Sequence, residues 1–316
     1  MRHLLPWLLV LCPLSLWAGE PKETVADFLQ KISVTISTGQ ATGSGTAFSR
    51  DGQTFIWTAG HVVDDLRHTR EVVDSRTGGK RTVIEFDNPK IVQRLIEGGK
   101  TVGRLEMDAE VLHYSDIENG QDLALLRVIK KNFIPFSARF YLEKGTPPIG
   151  STLYHVGSRL GEFGSNSMTS GIMSQHGRLI GKKEYDECDA SVFPGSSGGG
   201  VYLQDGRYVG MITRGAVGGF SLMVPIRRIK SWAEKEKLLW ALDPAVPLPS
   251  AAELEKLPLE DSSGPAAGSN RGDRGTAKAI MTQQELNQWL LKDSGQSLLL
   301  HFRGRVLPAG AYDPRP

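Results

Sequence analysis

The segment 193–199 reads Phe193-Pro194-Gly195-Ser196-Ser197-Gly198-Gly199. Small residues on both sides of a serine let the backbone turn sharply and let another molecule approach closely. They also let neighbouring backbone N–H groups converge on one oxygen atom, as acyl-transfer chemistry requires. Taken alone, the segment is equally typical of a glycine- and serine-rich turn. Whether Ser197 is a nucleophile therefore depends on whether other segments of the chain supply a base and an acceptor for that base.

Two other segments supply these groups. His61 follows the apolar run 55–57, and Asp122 directly precedes the apolar run 123–126. A serine hydroxyl is a poor nucleophile at neutral pH and needs a base, which histidine supplies. The base in turn needs an acceptor on its other ring nitrogen, and Asp122 fits that role. Asp116 is the rival carboxylate, but no apolar strand follows it directly.

With His61, Asp122 and Ser197 in that chain order, the sequence resembles the chymotrypsin-like serine proteases, and among them the HtrA (DegP-like) branch. The resemblance rests on residues 43–48, 58–63, 122–126, 168–174 and 189–199. It implies that His61 is the general base, Asp122 its orienting carboxylate and Ser197 the nucleophile. It also implies an oxyanion hole made by the backbone N–H groups of Gly195 and Ser197, with Ser196 between them.

The resemblance also implies a substrate site. The residues expected there are Ser191, Val192, Ile212, Thr213, Arg214, Gly215 and Met223. An extended peptide is expected to pair its backbone with residues 213–215. Ser191 carries no charge at the expected base of the primary pocket, which argues against cleavage after Arg or Lys. The apolar Val192, Ile212 and Met223 predict a small or medium apolar side chain instead.

Short alternating segments separated by turn residues predict an all-β protein with two successive barrels. The family resemblance makes these two six-stranded antiparallel barrels, the first at about 24–140 and the second at about 147–225. A C-terminal helix is expected at 226–241, which completes a protease domain over 24–240. Asp51-Gly52 predicts a hairpin turn. The long spacing between His61 and Asp122 predicts an insertion at 64–104.

The two ends of the chain have a different character. Residues 1–18 have a polar start, an apolar run and small residues at Ala18-Gly19, which predicts an export signal cleaved after Ala18. An uncleaved membrane anchor is the alternative, although the run is shorter than the ~20 residues of a spanning helix.

Residues 243–279 are rich in Pro, Ser, Gly and Ala and predict a flexible linker. A helix and a strand are expected in the tail, residues 280–316. HtrA proteins continue into PDZ domains, and the residues after Trp240 do not suit one.

The remaining composition narrows the function classes. A net charge of +2 does not indicate that the protein binds nucleic acid. Removing the export signal leaves Cys188 alone, and we expect it to be a small buried core residue. The other histidines lack metal-ligand spacing, so neither a metal nor a cofactor is predicted.

Two functions stay open. The first is a periplasmic or secreted serine endopeptidase that acts on polypeptides. The second is a binding protein on a protease scaffold, which works through its insertion or its tail. A homo-oligomer and a partner for the tail are left open.

Overall fold

A computed structural model describes residues 23–76, 78–97, 99–216, 219–261 and 280–281. The predicted export signal, residues 262–279 of the predicted linker and most of the predicted tail lie outside the described residues. Four helices are described: α1 (Val25–Lys31), α2 (Gly60–Val63), α3 (Ile226–Lys235) and α4 (Ala251–Leu254). None of the helices in the described ranges has the length and apolar character that crossing a membrane requires.

In the described residues, sixteen strands and three short 3₁₀ helices make up the rest of the regular structure. The first eight are β1 (Ser33–Ser37), β2 (Thr42–Arg50), β3 (Gln53–Thr58), β4 (Arg67–Val73), β5 (Lys80–Phe86), β6 (Lys90–Glu97), β7 (Lys100–Ser115) and β8 (Leu123–Val128). The others are β9 (Arg139–Phe140), β10 (Thr152–Arg159), β11 (Gly164–Ile180), β12 (Lys183–Cys188), β13 (Gly200–Leu203), β14 (Arg207–Ala216), β15 (Phe220–Pro225) and β16 (Ile280–Met281).

The first barrel is closed and antiparallel, with strand order β1-β2-β3-β8-β7-β6. The predicted Asp51-Gly52 turn joins β2 to β3, and both residues have positive φ, at 51° and 75°. That backbone suits the type I′ turn of a two-residue hairpin. Apolar side chains of β3 and β8, among them Phe55 and Trp57, fill the barrel with full burial. The hairpin therefore places the end of β3, next to His61, at one rim of this barrel.

The segment 64–104 is only partly an insertion, which differs from the prediction. Strands β4 and β5 form a separate two-stranded hairpin. Strand β6, in contrast, belongs to the barrel, where it pairs with β1 and β7 and buries Ile91 and Val92. The apolar start of β6 explains the difference, because those side chains complete the barrel core.

The second barrel is a ring of strands. Its order is β13-β10-β11-β12-β15-β14, and the pairing of β13 with β14 closes the ring. Strands β9 and β16 add to β14 in parallel. The chain is therefore all-β with two antiparallel barrels, as the sequence predicts.

The C-terminal part departs from the prediction in two ways. Helix α3 ends at Lys235, and a short 3₁₀ turn at Leu239–Ala241 replaces the rest of the expected helix. Residues 243–261, expected to be flexible linker, pack against the first barrel. Arg50 donates hydrogen bonds to the carbonyls of Trp240 and Val246 at 2.6 and 2.9 Å. Outside α4 this proline-rich segment has no helix, but its carbonyls still accept hydrogen bonds from fixed side chains.

Candidate functional site

The His61 imidazole and the Asp122 carboxylate form a hydrogen-bonded pair in the described chain. His61 Nδ1 lies 2.9 and 3.1 Å from the two Asp122 oxygens, and the His61 backbone N–H donates to Oδ1 at 2.9 Å. Asp122 is fully buried and has a left-handed backbone with φ 58°. Such a conformation is uncommon for a side chain other than glycine, although aspartate tolerates it. It aims the carboxylate at the histidine.

Thr213 contributes a third group that the sequence assigned only to substrate binding. Its hydroxyl donates to Asp122 Oδ2 and is fully buried. Burial alone would raise the pKa of Asp122, but His61, the Arg214 charge and the Thr213 hydroxyl outweigh it. The pKa of Asp122 therefore lies well below its usual range, and the carboxylate stays ionised.

An ionised Asp122 fixes the tautomer of His61. Because the carboxylate accepts the Nδ1 proton, Nε2 is left as the ring nitrogen that takes up a proton. His61 Nε2 is buried and has no hydrogen-bond partner among the residues that the structure describes. The pair is thus arranged as a base with one free nitrogen.

The segment before Ser197 forms a type II turn. The Ser196 N–H donates to the Phe193 carbonyl at 2.9 Å, and Gly195 at the third position has φ 94°. This geometry needs φ above zero at the third position and favours proline at the second, where Pro194 stands. The Ser196 hydroxyl accepts a hydrogen bond from the Phe193 N–H at 3.2 Å and tightens the turn.

The turn sets the direction of the N–H groups proposed for the oxyanion hole. The Leu160 N–H donates to the Pro194 carbonyl at 2.8 Å. Because a trans peptide is planar, the Gly195 N–H of the same unit points away from Leu160. Within the described ranges, the N–H groups of Gly195 and Ser197 donate to no other group. Both N–H groups are therefore free to donate to another molecule.

Ser44 of β2 joins the nucleophile segment to β3, the strand that precedes His61, and no role was predicted for its side chain. Its N–H donates to the Ser197 carbonyl at 2.8 Å, and its hydroxyl donates to the Gly195 carbonyl at 2.6 Å. Its own carbonyl accepts from the Thr58 hydroxyl at 2.7 Å. Gly198 lets these segments approach, since a Cβ there would lie 2.2 Å from the Ser44 oxygen.

The loop that carries Asp122 is held by the second barrel. Lys183 donates to the carbonyls of Ile117 and Glu118 at 2.6 and 2.8 Å. Arg228 of α3 donates to the Gln121 carbonyl at 2.6 Å. These contacts hold the Asp122 loop against β12 and α3. The nucleophile segment comes close to the residues before His61, since a Cβ on Gly198 would lie 3.1 Å from the Ala59 nitrogen. Among the described residues, no hydrogen bond joins Ser197 to His61 Nε2.

Asp261 holds the same loop from outside both barrels. Its carboxylate accepts hydrogen bonds from Ser115 and from Trp232 Nε1, the latter at 2.9 Å. Ser115 Oγ in turn accepts from the Gln121 N–H. The segment expected to be linker therefore helps to position the residue next to Asp122, which no local sequence signal indicated.

The predicted substrate residues divide into two groups. Val192, Ile212 and Met223 are 0–1% exposed and belong to the core cluster of the second barrel. They do not present the apolar surface to the cleft that the sequence predicts. A register shift in β14 between Ile212 and Arg214 interrupts the strand's alternation, so the pattern could not be read from residue spacing.

The other predicted substrate residues lie near the nucleophile segment. Ser191 is half-buried, and its carbonyl accepts from Thr169. Arg214 is 7% exposed and acts on the Asp122 charge. Gly215 lies on β14 and pairs with Ser221 of β15.

His155 lies directly behind the nucleophile segment. It is fully buried, its Nδ1 lies 3.0 Å from the Gly200 carbonyl, and its ring packs against the Gly199 backbone. Burial lowers the pKa of His155 to about 4; the Gly200 hydrogen bond opposes this and the Arg159 charge adds to it. The folded protein therefore holds this imidazole neutral.

That burial predicts acid sensitivity. Between about pH 6.5 and pH 4 the unfolded chain binds a proton at His155, whereas the folded chain does not. The free energy of unfolding should thus fall as the pH drops through this window, by about 3 kcal/mol in total. Urea unfolding at pH 7 and pH 4.5 measures it. His155→Gln keeps a donor for Gly200 and should show a shallower dependence; equal slopes in both proteins would contradict the assignment.

The rival candidates have structural roles. Asp116 accepts hydrogen bonds from the Glu118 and Asn119 N–H groups at 2.7 and 2.8 Å, so it caps its own loop. Cys188 is a buried free thiol, as the sequence predicts, and burial raises its pKa to about 12. No group of three or more metal-ligating side chains occurs in the described ranges.

Comparison with known proteins agrees with this geometry. The model of the trypsin-like peptidase domain matches residues 43–211, more than half of the chain. The chain belongs to the trypsin-like peptidase family. The predicted resemblance to HtrA- and DegP-like proteases is confirmed, and no PDZ domain is among the matching family models.

Relatives of this trypsin-like peptidase are distant. A putative protease Do-like 14 of Arabidopsis thaliana is 28% identical over 211 residues, which cover 64% of this chain and 42% of the relative. A probable periplasmic serine endoprotease, DegP-like, of Rhizobium meliloti (strain 1021) is 29% identical over 55% of this chain and 28% of its own length. The chain thus spans less than half the length of these curated relatives.

A solved structure gives the fold alone. The HtrA-type protease AlgW with tripeptide matches with a TM-score of 0.50 at 18% identity, over 69% of this chain and 64% of that one.

Proposed function

We propose that the chain is a serine endopeptidase in which Ser197, His61 and Asp122 form the catalytic group. The observation that carries the proposal is the hydrogen-bonded unit of Thr213, Asp122 and His61, which leaves Nε2 as the basic nitrogen. The type II turn before Ser197 leaves the N–H groups of Gly195 and Ser197 without an acceptor in the described chain, so both can donate to an oxyanion. Membership of the trypsin-like peptidase family supports the same chemistry.

The residues act in two half-reactions. Ser197 Oγ attacks the peptide carbonyl carbon while His61 Nε2 takes the hydroxyl proton. The N–H groups of Gly195 and Ser197 stabilise the oxyanion. The C–N bond breaks, the leaving amine receives the proton from His61, and an acyl-enzyme remains. Water then attacks the ester with His61 as base, which releases the new carboxyl end and restores Ser197.

The substrate is proposed to be an extended polypeptide, from exported or misfolded proteins. The edge of β14 at residues 213–215 supplies backbone donors and acceptors for such a chain. A DegP-like relative is described as periplasmic, which supports the export that residues 1–18 predict. Specificity for apolar side chains is not part of the proposal, because Ile212 and Met223 lie in the core.

A fluorophosphonate probe, which reacts with activated serines, tests the proposal. We expect one probe per chain on the peptide that contains Ser197, and none after the chain is unfolded by heat. Hydrolysis of unfolded casein is measured in parallel. If the folded chain is not labelled at Ser197 and does not hydrolyse casein, the protease fold serves as a binding scaffold instead.

A further inference from the structure

Strand β14 carries a second strand of the same chain beside the candidate active site. Gly215 and Ala216 pair with β15 on one edge. The same two residues also pair with β16, in the register Gly215 to Ile280 and Ala216 to Met281. Because a strand has two edges, β16 lies on the edge opposite β15.

That edge is the one that meets the nucleophile segment. The Gly198 N–H donates to the Ile212 carbonyl at 2.8 Å, and the Ile212 N–H donates to the Gly199 carbonyl at 3.0 Å. The edge therefore runs from the nucleophile segment at Ile212 to β16 at Ala216. A substrate backbone is expected on this same edge. Since each backbone donor and acceptor serves one neighbouring strand, β16 and a substrate exclude each other at Gly215.

The direction of β16 decides what its presence does. A peptide antiparallel to β14 brings its carboxyl end toward Ser197, so the paired residues stay attached as the acyl group. Strand β16 runs parallel to β14. Its amino end therefore points toward Ser197. If a peptide bond of this segment reached Ser197, the residues held on the edge would lie on the amine side of that bond and would not form the acyl group. Strand β16 holds the edge in a direction that does not lead to an acyl-enzyme.

We propose that Ile280–Met281 is an intramolecular inhibitory strand that competes with substrate for the edge of β14. This inference rests on the proposed endopeptidase function. The chain is anchored at Asp261, whose N–H donates to the Tyr114 carbonyl at 3.0 Å. Covalent attachment gives such a segment an effective concentration in the millimolar range, so even a weak two-residue pairing competes.

Two full-length variants test the competition. Ile280→Pro with Met281→Pro removes both backbone N–H groups of β16. Ile280→Val with Met281→Leu keeps them and serves as the matched control. For an internally quenched peptide, the double-proline variant should show a KM about 3- to 10-fold lower than the parent, with kcat unchanged, because a tethered competitor raises KM alone. The control should keep the parent KM.

Hydrogen exchange gives a readout that does not depend on activity. The N–H groups of consecutive strand residues point to opposite edges, so one of the Gly215 and Ala216 amides faces β16 and the other faces β15. The amide that faces β16 should exchange faster in the double-proline variant than in the parent and the control, and the other serves as an internal reference. A synthetic peptide of residues 276–285, added to the double-proline variant, should inhibit competitively and remain intact by mass spectrometry.

Three outcomes separate this inference from the proposed function. Parent-like KM and parent-like exchange in the double-proline variant would overturn the inhibitory strand, while hydrolysis by all forms would leave the endopeptidase standing. Cleavage of the added peptide would show that it binds as a substrate and would also overturn the inference. If no form hydrolyses peptide or reacts with a fluorophosphonate, the proposed function fails. If, in addition, the amide that faces β16 exchanges at the same rate in the double-proline variant and in the parent without added peptide, the strand pairing fails as well.

Discussion

Replacement of Ser197 by alanine is expected to lower kcat for casein hydrolysis by about 10⁶-fold. The turn at residues 193–196 fixes the backbone without help from the Ser197 side chain, since its contacts come from the Ser196 N–H and hydroxyl. The variant should therefore fold with the N–H donors in place. What it loses is the oxygen that accepts the acyl group.

The measurement needs a sensitive activity assay and a control substitution at another serine. Fluorescein-labelled casein detects a residual rate, and circular dichroism with thermal melting confirms the fold. Ser231→Ala, at an exposed position of α3, is the control and should keep parent activity. If Ser197→Ala retained a tenth or more of the parent kcat, Ser197 would not be the nucleophile.

The fold could be predicted where local chemistry decides it. Asp51-Gly52 supplies the positive φ that a two-residue hairpin needs, so β2 and β3 follow from the sequence. The linker boundary could not be predicted, because residues 243–261 have the composition of a linker and are held by distant donors. Arg50 donates to the Val246 carbonyl at 2.9 Å, and this contact spans 196 positions of sequence.

The site divides in the same way. The order His61, Asp122, Ser197 and their neighbouring strands can be read from the sequence, because each residue has its own recognisable flanks. The hydroxyls of Ser44 and Thr213 could not be assigned, since their partners Gly195 and Asp122 come near only in the folded chain. A serine between two glycines, Gly43-Ser44-Gly45, was the one available signal for close backbone approach.

Replacement of Asp122 by asparagine should lower kcat by about 10⁴-fold while the fold is kept. The Oδ1 position accepts the His61 backbone N–H at 2.9 Å, and that donor cannot reverse. The asparagine carbonyl must therefore take the Oδ1 position and place its NH₂ at Oδ2, 3.1 Å from His61 Nδ1. There the NH₂ donates to Nδ1 in the tautomer whose proton is on Nε2, and it opposes the tautomer whose proton is on Nδ1. The asparagine oxygen at Oδ1 still lies 2.9 Å from Nδ1 and can accept from it, so the form of His61 that acts as a base toward Ser197 is reduced, not abolished.

Loss of charge adds to the wrong tautomer in Asp122→Asn. Asp122 is ionised in the folded protein because His61, Arg214 and Thr213 outweigh its burial, and its pKa is well below the usual range. A neutral amide cannot stabilise the imidazolium that forms when Ser197 gives up its proton. Thr213 does not resist the change, since its hydroxyl can rotate to accept from the new NH₂.

Steady-state kinetics on the quenched peptide separate this effect from a loss of structure. Asp116→Asn is the matched control, because an amide oxygen still accepts the Glu118 and Asn119 N–H groups that the carboxylate holds. That variant should keep kcat within about tenfold, since it exchanges one loop-capping acceptor for another. A fall in kcat for Asp116→Asn as large as that for Asp122→Asn would mean that the loop, and not the carboxylate beside His61, governs the rate. A large loss confined to Asp122→Asn, with KM and melting temperature unchanged, assigns the effect to the transition state, in which His61 carries the charge that Asp122 balances.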